Sequence, residues 1–385
     1  MTLIGREISV VGGGVAGLTV ARALALRGAA VTLYEQAPQI SEVGAGIQVS
    51  PNGGRVLEAL GLGPAFEAAS GESGAVTLRD ETGAQVLRMD LAGRGRFGLV
   101  HRADLIGVLE EGAREAGVQI LTDRCVASVD LTGARPLLEV AQDGPVSADL
   151  LIGADGVQSR VRAALLGERP PEFTGHVAWR ALVPAPGEVP REAQVFMAPG
   201  QHVVAYPLRN GALLNLMAVE ERSDWVAEGW HHAGDPDELR RRFSAMGGPV
   251  REWLGQVTQC MFWGLFKHPV AERWHGKGAV LLGDAAHPTL PFLAQGACMA
   301  LEDAFVLARA LAEHDTDAAA LAAYQSVRDA RVRRIVDAAT ANAKNYHLGG
   351  AKRRVAHAGL RVIDRTAPAR MLARFDWLYG HDVTV

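Results

Sequence analysis

Gly12, Gly14 and Gly17 stand in the GxGxxG spacing, and Glu35 follows 23 positions after Gly12. In that pattern the first glycine permits a tight turn, the second lets backbone approach a pyrophosphate, and the third lets a helix pack closely on strands. Val15 and Ala16 lie inside the turn, where the free amides of a helix start face phosphate. An acid at Glu35 accepts hydrogen bonds from an adenosine ribose, so the stretch is a dinucleotide site. Two more acids sit where apolar runs end in glycine turns: Asp155 in GADG and Asp284 in GDAAHP. Arg102, in LVHRADL, can reach phosphate or ribityl oxygens or form a surface ion pair. His202 and Tyr206 are four apart and share a face if their run is a strand. They are either a reacting pair or a structural one.

The elements that would position these groups follow from the pattern. Glu7 to Glu35 reads as strand, glycine turn, Ala/Leu helix and second strand. Gly44 and Gly46 mark a loop where backbone can approach a ligand, and Asn52 and Gly53 open a short helix ending at Gly61. Val76 to Leu91 reads as a hairpin, and Arg102 starts a helix that stops at Gly117. Strands are expected at 118–121, 126–130, 137–140 and 149–152, the last ending at Gly153. From about Pro170 to Arg273 the glycine-turn-helix rhythm gives way to short strand-like runs, which predict a largely antiparallel sheet. Ala279 to Leu282 returns to an apolar strand, with Pro288 and Pro291 stiffening the loop before a helix near Gly296. A long alanine-rich helix is expected over 318–343. Beyond it, Phe375, Trp377 and Tyr379 form a core or cap.

Composition narrows the function classes. The 385 residues are 48% hydrophobic and 21% charged with a formal net charge of -4, which makes no electrostatic case for nucleic acid. Arg331, Arg333 and Arg334, and Lys352, Arg353 and Arg354, read as solvated helix faces. Cys125, Cys260 and Cys298 are far apart, so neither a disulfide framework nor a metal-ligand pattern is present, which suits a reducing cytoplasm. No apolar run approaches the length of a membrane span, and the start shows no export segment.

Together these segments resemble the single-component FAD-dependent aromatic hydroxylases, the flavoprotein monooxygenases related to para-hydroxybenzoate hydroxylase. The glycine motif, LVHRADL, GADGVQSRVR and GDAAHP match in order over nearly the whole chain. The likeness is strongest to the salicylate, 3-hydroxybenzoate and 6-hydroxynicotinate hydroxylases, through GAGIQVSPN, FMAPGQHVVAYPLRNG, HPTLPFLAQGACMALEDA and FDWLYGHD. It implies an α/β fold: a Rossmann-like FAD-binding domain with an inserted, mainly antiparallel β-sheet substrate domain and C-terminal helices. FAD-binding segments 1–169, with a hairpin excursion near 76–91, and 274–315 would enclose a substrate domain at 170–273, with helices over 316–385.

By the same resemblance FAD is held by Gly12, Gly14, Val15, Ala16, Gly17, Glu35, Arg102, Asp155, Asp284, Pro291, Gly296 and Ala297. NADH or NADPH visits as transient reductant, and a phenolic aromatic or N-heteroaromatic acid is hydroxylated with O2 through a flavin C4a-hydroperoxide, either with its carboxylate kept or decarboxylatively in the salicylate manner. His202 is the candidate for accepting the phenolic proton, because imidazole accepts a proton near neutral pH, with Tyr206 orienting it. Arg180, Gln48, Pro291 and Phe292 are further substrate candidates. Arg180 can instead pair with an acid on the sheet, and His287 reads as structural or cofactor-side. The alternatives are a flavin oxidase or dehydrogenase and a non-catalytic flavin binder. Monomer and homodimer both stay open.

Overall fold

The computed structural model describes residues 3–40, 46–185, 187–224, 226–228 and 232–385. Its first sheet runs, edge to edge, His275–Gly276, Ala279–Leu281, Leu150–Gly153, Glu7–Val11, Ala30–Tyr34 and Gln119–Leu121. All neighbours but the first pair are parallel. Helices cover both faces of such a sheet, which is why its strands read as unbroken apolar runs. The register aligns Val11 with Tyr34 and Gly153, and Gly153 with Leu281. The segments beginning Gly12, Glu35, Ala154 and Leu282 therefore leave one edge together, where ligands bind in open parallel sheets. The helix Val15–Ala25 follows the first strand, and Gly296–Glu313 packs against it and against Pro51–Ala59.

The second sheet has eight strands, ordered Ala233–Gly234, Cys260–Lys267, Glu172–Pro184, Leu213–Glu221, Gln201–Leu208, Glu192–Ala198, Ala75–Asp80 and Gln85–Asp90. Only Glu192–Ala198 and Ala75–Asp80 run parallel. The expected hairpin thus forms the far edge of this sheet, and Cys260–Lys267 is a strand the sequence pattern did not reveal. Alternation gives the sheet two faces. One, carrying Trp179, Phe196, Val203 and Leu216, buries against Leu239, Phe243 and Trp253 of the helical stretch at 236–255, which was also unforeseen. The other carries Arg180, His202, Val204, Tyr206, Asn215 and Met217 toward the first sheet.

The long helix spans Asp317–Tyr346, followed by Gly350–Thr366, Pro368–Ala373 and Asp376–Tyr379. Leu360, Ile363 and Phe375 pack on the hairpin residues Leu87 and Met89, so the tail straps the second sheet to the rest. Tyr379 meets Phe97 edge-on at 5.0 Å, the cap expected of the aromatic trio. The reading of a solvated 331–334 face fails at Arg331, whereas Arg333 is partly exposed and Arg334 exposed. Arg331 bonds Glu302 and the carbonyls of Trp377 and Leu378, and Arg334 lies 3.8 Å from the Trp377 ring. Arg353 likewise pairs with Glu81, whereas Lys352 and Arg354 are exposed. The arginines are the cement between the long helix and the tail, because a guanidinium satisfies several carbonyls and a carboxylate at once.

Candidate active site

The glycine turn is closed as its spacing requires. Gly12 has φ +105, and a Cβ there would strike the Ala154 carbonyl; one at Gly17 would run into the Gly12 carbonyl. Gly14, by contrast, has nothing within 4 Å of that position. It opens Val15–Ala25 with no side-chain cap and no acid in the first turn, so the helix presents bare amides to open space. Val15 is buried and Ala16 partly exposed. Glu35 accepts the Gly13 amide at 2.6 Å and the Ala37 amide at 2.8 Å, which fixes its carboxylate beside the turn.

Asp155 spends its carboxylate locally. It accepts the Ser159 hydroxyl and the amides of Arg160 and Val161, at the start of Arg160–Leu166. It shapes the turn that packs on Gly12, and burial still raises its pKa against those bonds. Arg102 is the first residue of Arg102–Glu115, and Asp104 behind it pairs with Arg209. Burial, then the charge of Arg180, pushes the Arg102 guanidinium down to about 10, with Asp284 opposing. Asp284 is partly exposed yet hemmed in by protein, as in a narrow cleft. Burial raises its carboxyl against the pull of His287, Arg102 and His268.

Beneath Asp284 lies a charge network with almost no solvent contact. Asp303 accepts the Gly283 amide at 3.0 Å, Arg328 Nε at 2.7 Å, and shares a short bond with His287 Nε2. Glu302 accepts Arg331 through both oxygens, pairs with Arg328 and accepts Asn52 Nδ2 at 2.7 Å. Asn52 also reaches Gln295, the residue before Gly296. Burial would raise Glu302, but Arg328, Arg331 and Asn52 outweigh it and hold the carboxyl at about 2. His287, almost fully buried, is thus held inside this network beside Asp284. Glu302, Asp303 and Arg328 were not foreseen as site residues; their one signal was an adjacent acid pair in the apolar helix CMALEDAFVLA.

The loop before the Gly296 helix turns Pro291 outward and Phe292 inward. Gly296 and Ala297 begin Gly296–Glu313, again without a side-chain cap or an acid in the first turn. Facing them, Gln48 lies partly exposed on Gly46–Val49, a strand rather than the expected loop; Gly44 lies outside the described residues. A Cβ at Gly46 would collide with the Tyr206 ring, and the Gly46 amide donates to Asn215 at 2.8 Å. Arg180 lies 5.0 Å from the Trp263 ring centroid, and its charge reaches Tyr206, whose hydroxyl burial raises.

His202 and Tyr206 share the inward face but not a hydrogen bond: Nδ1 of His202 is 2.7 Å from Nε2 of His347. The sequence reading gave His202 a proton affinity near neutral pH. Burial, then His347 and His176, push it well below that. His347, some 145 positions away, was missed because only the tail's path brings it back.

The geometry therefore fits an extended dinucleotide: two uncapped helix starts, the first facing open space at Gly14, an anchored acid at the first turn, and Asp284 and Arg102 between them. A family model described as FAD binding domain matches residues 6–339. The chain is 36% identical to 3-amino-4-hydroxybenzoate 2-monooxygenase PtnB3 of Streptomyces platensis, covering 98% of this chain and 96% of that one. It is 35% identical to 3-hydroxybenzoate 6-hydroxylase of Klebsiella oxytoca, over 96% of each. Among solved structures, Klebsiella pneumoniae HpxO complexed with FAD and uric acid superposes with a TM-score of 0.82 at 28% identity, covering 96% of this chain and 95% of that one. The chain belongs to the single-component FAD-dependent aromatic hydroxylases, the family related to the salicylate and 3-hydroxybenzoate hydroxylases, and is an FAD-dependent aromatic monooxygenase. Among the described residues no helix is long and apolar enough to cross a membrane.

Proposed function

We propose that this monooxygenase uses NADH or NADPH and O2 to hydroxylate a phenolic aromatic acid. The observation that carries the reading is the packing of the two halves against each other: the Gly46 amide, on the dinucleotide side, donates to Asn215 and lies against the Tyr206 ring, on the sheet face that also carries Arg180 and His202. A ring seated there meets the cofactor on one side and a guanidinium, a phenol and an imidazole on the other. The names of the two relatives describe ring acids that also bear a hydroxyl, which agrees with an arginine and a proton acceptor on the same sheet face.

When bound, FAD supplies the redox chemistry, taking electrons from the nicotinamide and delivering one oxygen atom of O2 to the ring. The protein holds, orients and dries the reactants. Gly14, Val15 and Ala16 offer amides to the pyrophosphate, with Gly12 and Gly17 closing the turn and Glu35 reaching the ribose. Arg102 and Asp284 hold the chain between phosphate and ring system, while Asp155 braces the turn opposite Gly12. Gly296 and Ala297 offer amides to a ring carbonyl, and Pro291 and Phe292 wall the pocket. The guanidinium fork of Arg180 and the amide of Gln48 receive the substrate carboxylate. Losing the phenolic proton enriches the ortho and para carbons for attack, so His202 takes that proton and Tyr206 orients the hydroxyl. The GxGxxG spacing recurs at Gly93, Gly95 and Gly98, but there it leads into the strand Gly98–His101; only Gly12–Gly17 sits between a strand and a helix among the described residues, which suits a nicotinamide that visits rather than resides.

The test is oxidation of NADH and NADPH by the FAD-loaded protein in air, with 3-hydroxybenzoate, salicylate, 3-amino-4-hydroxybenzoate, 6-hydroxynicotinate and uncharged phenols offered separately. Ring-stimulated oxidation and a product gaining one oxygen, or exchanging carboxylate for hydroxyl, are expected. No stimulation by any ring despite bound FAD would refute the reading.

A further inference from the structure

His202 is 1% exposed, and a base so deep cannot hold the charge it accepts. The structure shows where that charge can go. His202 Nδ1 is 2.7 Å from His347 Nε2, and His347 Nδ1 is 3.0 Å from Glu221 Oε1. The Glu221 side chain is 57% exposed, so the chain of contacts runs from core to solvent. Three elements hold it: Gln201–Leu208, Leu213–Glu221, and the end of the long helix, whose His347 carbonyl is bonded by the Gly200 amide at 3.1 Å.

We infer that His202, His347 and Glu221 form a proton relay that carries the substrate's phenolic proton from the buried pocket to the surface. The inference rests on the hydroxylase reading above. Donor and acceptor roles fix its starting state. An ionised carboxylate only accepts, so His347 Nδ1 carries the hydrogen toward Glu221. Neutral His347 then has a bare Nε2, which accepts from His202 Nδ1–H. That leaves His202 Nε2 bare, on the ring edge turned away from His347.

The transfer balances. A proton from the phenol binds His202 Nε2, His202 releases its Nδ1 proton to His347 Nε2, and His347 releases its own Nδ1 proton to Glu221 and solvent. Return of a proton through Glu221 runs the chain backwards, His202 Nε2 giving its proton to the oxygen of the product phenolate, and restores both tautomers. The other groups facing the rings from the described residues do not compete for the charge. Tyr346, 5.2 Å from His202 between ring centroids, is pushed up to about 12 by burial, Phe292 is apolar, and the positive field of His176 lowers both His202 and His347. The nitrogens of His176 and His347 and the Glu221 carboxylate lie within 4.8 Å of one another. His176 itself is tied through Nδ1 to the Thr174 carbonyl at 2.9 Å and stands outside the line of transfer.

Two measurements on the FAD-loaded protein test the relay. Nitrogen-15 spectra of the resting enzyme should show both His202 and His347 protonated at Nδ1; a His202 protonated at Nε2 overturns the assignment. Stopped-flow mixing with 3-hydroxybenzoate or salicylate in weak buffer, with an indicator dye, reads proton release without turnover. His347→Gln should slow release about 10-fold or more with FAD retained and ligand affinity within about threefold of wild type. Glu221→Gln, at an exposed position that does not threaten folding, should slow release and shift its pH dependence. Wild-type release in His347→Gln overturns the relay, and wild-type release in Glu221→Gln alone overturns the exit. If the wild-type protein shows no ring-stimulated nicotinamide oxidation, the hydroxylase reading fails first and takes the relay with it.

Discussion

Replacing Asp303 by Asn tests whether the buried charges hold up the cofactor turn. The carboxylate serves three partners: Arg328 through one oxygen, Gly283 and His287 through the other. Asn keeps the shape but has one oxygen and one amide nitrogen. If the oxygen stays on Arg328, the new N–H group faces the Gly283 amide, donor against donor. An unsatisfied buried amide costs about 1–3 kcal/mol, and removing one partner of a buried ion pair about 3–5 kcal/mol. The two overlap here, and Glu302 remains as counter-ion to Arg328, so the lower part of the second range applies: about 3–4 kcal/mol. At about 2.1 cal/mol/K per residue, a chain of 385 residues has an unfolding entropy of roughly 0.8 kcal/mol/K. The expected fall in Tm is then about 4 °C, read by scanning calorimetry of the apo protein. Arg328→Met should cost less in the Asp303→Asn background than alone, since a charge without its partner is the costly state. FAD affinity should fall as well, because Gly283 precedes Asp284. A Tm within about 1 °C of wild type would refute the argument, since either orientation of the Asn amide sets its N–H group against a donor, Gly283 or Arg328.

Asp284→Ala should raise the FAD dissociation constant about 10- to 100-fold, the worth of one or two charge-assisted bonds, with little change in apo stability; flavin fluorescence titration measures it, and unchanged affinity counts against the role. Arg180→Ala should weaken binding of a carboxylated phenol about 10- to 100-fold and leave the matching uncharged phenol within threefold, as compared by difference spectroscopy; equal losses for both would remove the carboxylate contact. Stability should fall in acid. Glu302 is held at about 2 in the fold against an ordinary 4.5, so its contribution, on the order of 3 kcal/mol, is present above the ordinary value and lost as pH drops from there through the folded one. Asp303 is depressed in the same direction. Glu302→Gln should flatten that pH slope while lowering stability at neutral pH; an unchanged slope in calorimetry across the window would contradict the assignment.

Local chemistry made the cofactor half legible. Gly12, Gly14, Gly17 and Glu35 act within one strand, turn and strand, and each is demanded by a steric or hydrogen-bonding need that its neighbours state. The GADG and GDAAHP turns were visible for the same reason, and the register of parallel strands then brings all of them to one edge. Arg331 marks the limit of local chemistry. In an alanine-rich helical pattern an arginine reads as solvated, and nothing near it in sequence reports that Glu302 and two carbonyls of the tail wait 29, 46 and 47 positions away. Charge burial is decided by partners, and partners are non-local.

The substrate half shows the same limit acting on chemistry. A period of two placed His202 and Tyr206 on one face, and that much was correct. The inference that His202 titrates near neutral pH used the free side chain's value, whereas its surroundings are two other imidazoles and an apolar wall. A buried histidine that cannot retain a proton can still move one, provided each acceptance at one nitrogen is matched by release at the other. This requirement turns attention from the proton affinity of His202 to its neighbour across 145 positions. His347 supplies that release only because the long helix ends at Tyr346 and returns the chain beside Gly200. The C-terminal segment is then part of the reaction path as well as a strap. Its removal should slow deprotonation of bound substrate even where the FAD site stays intact.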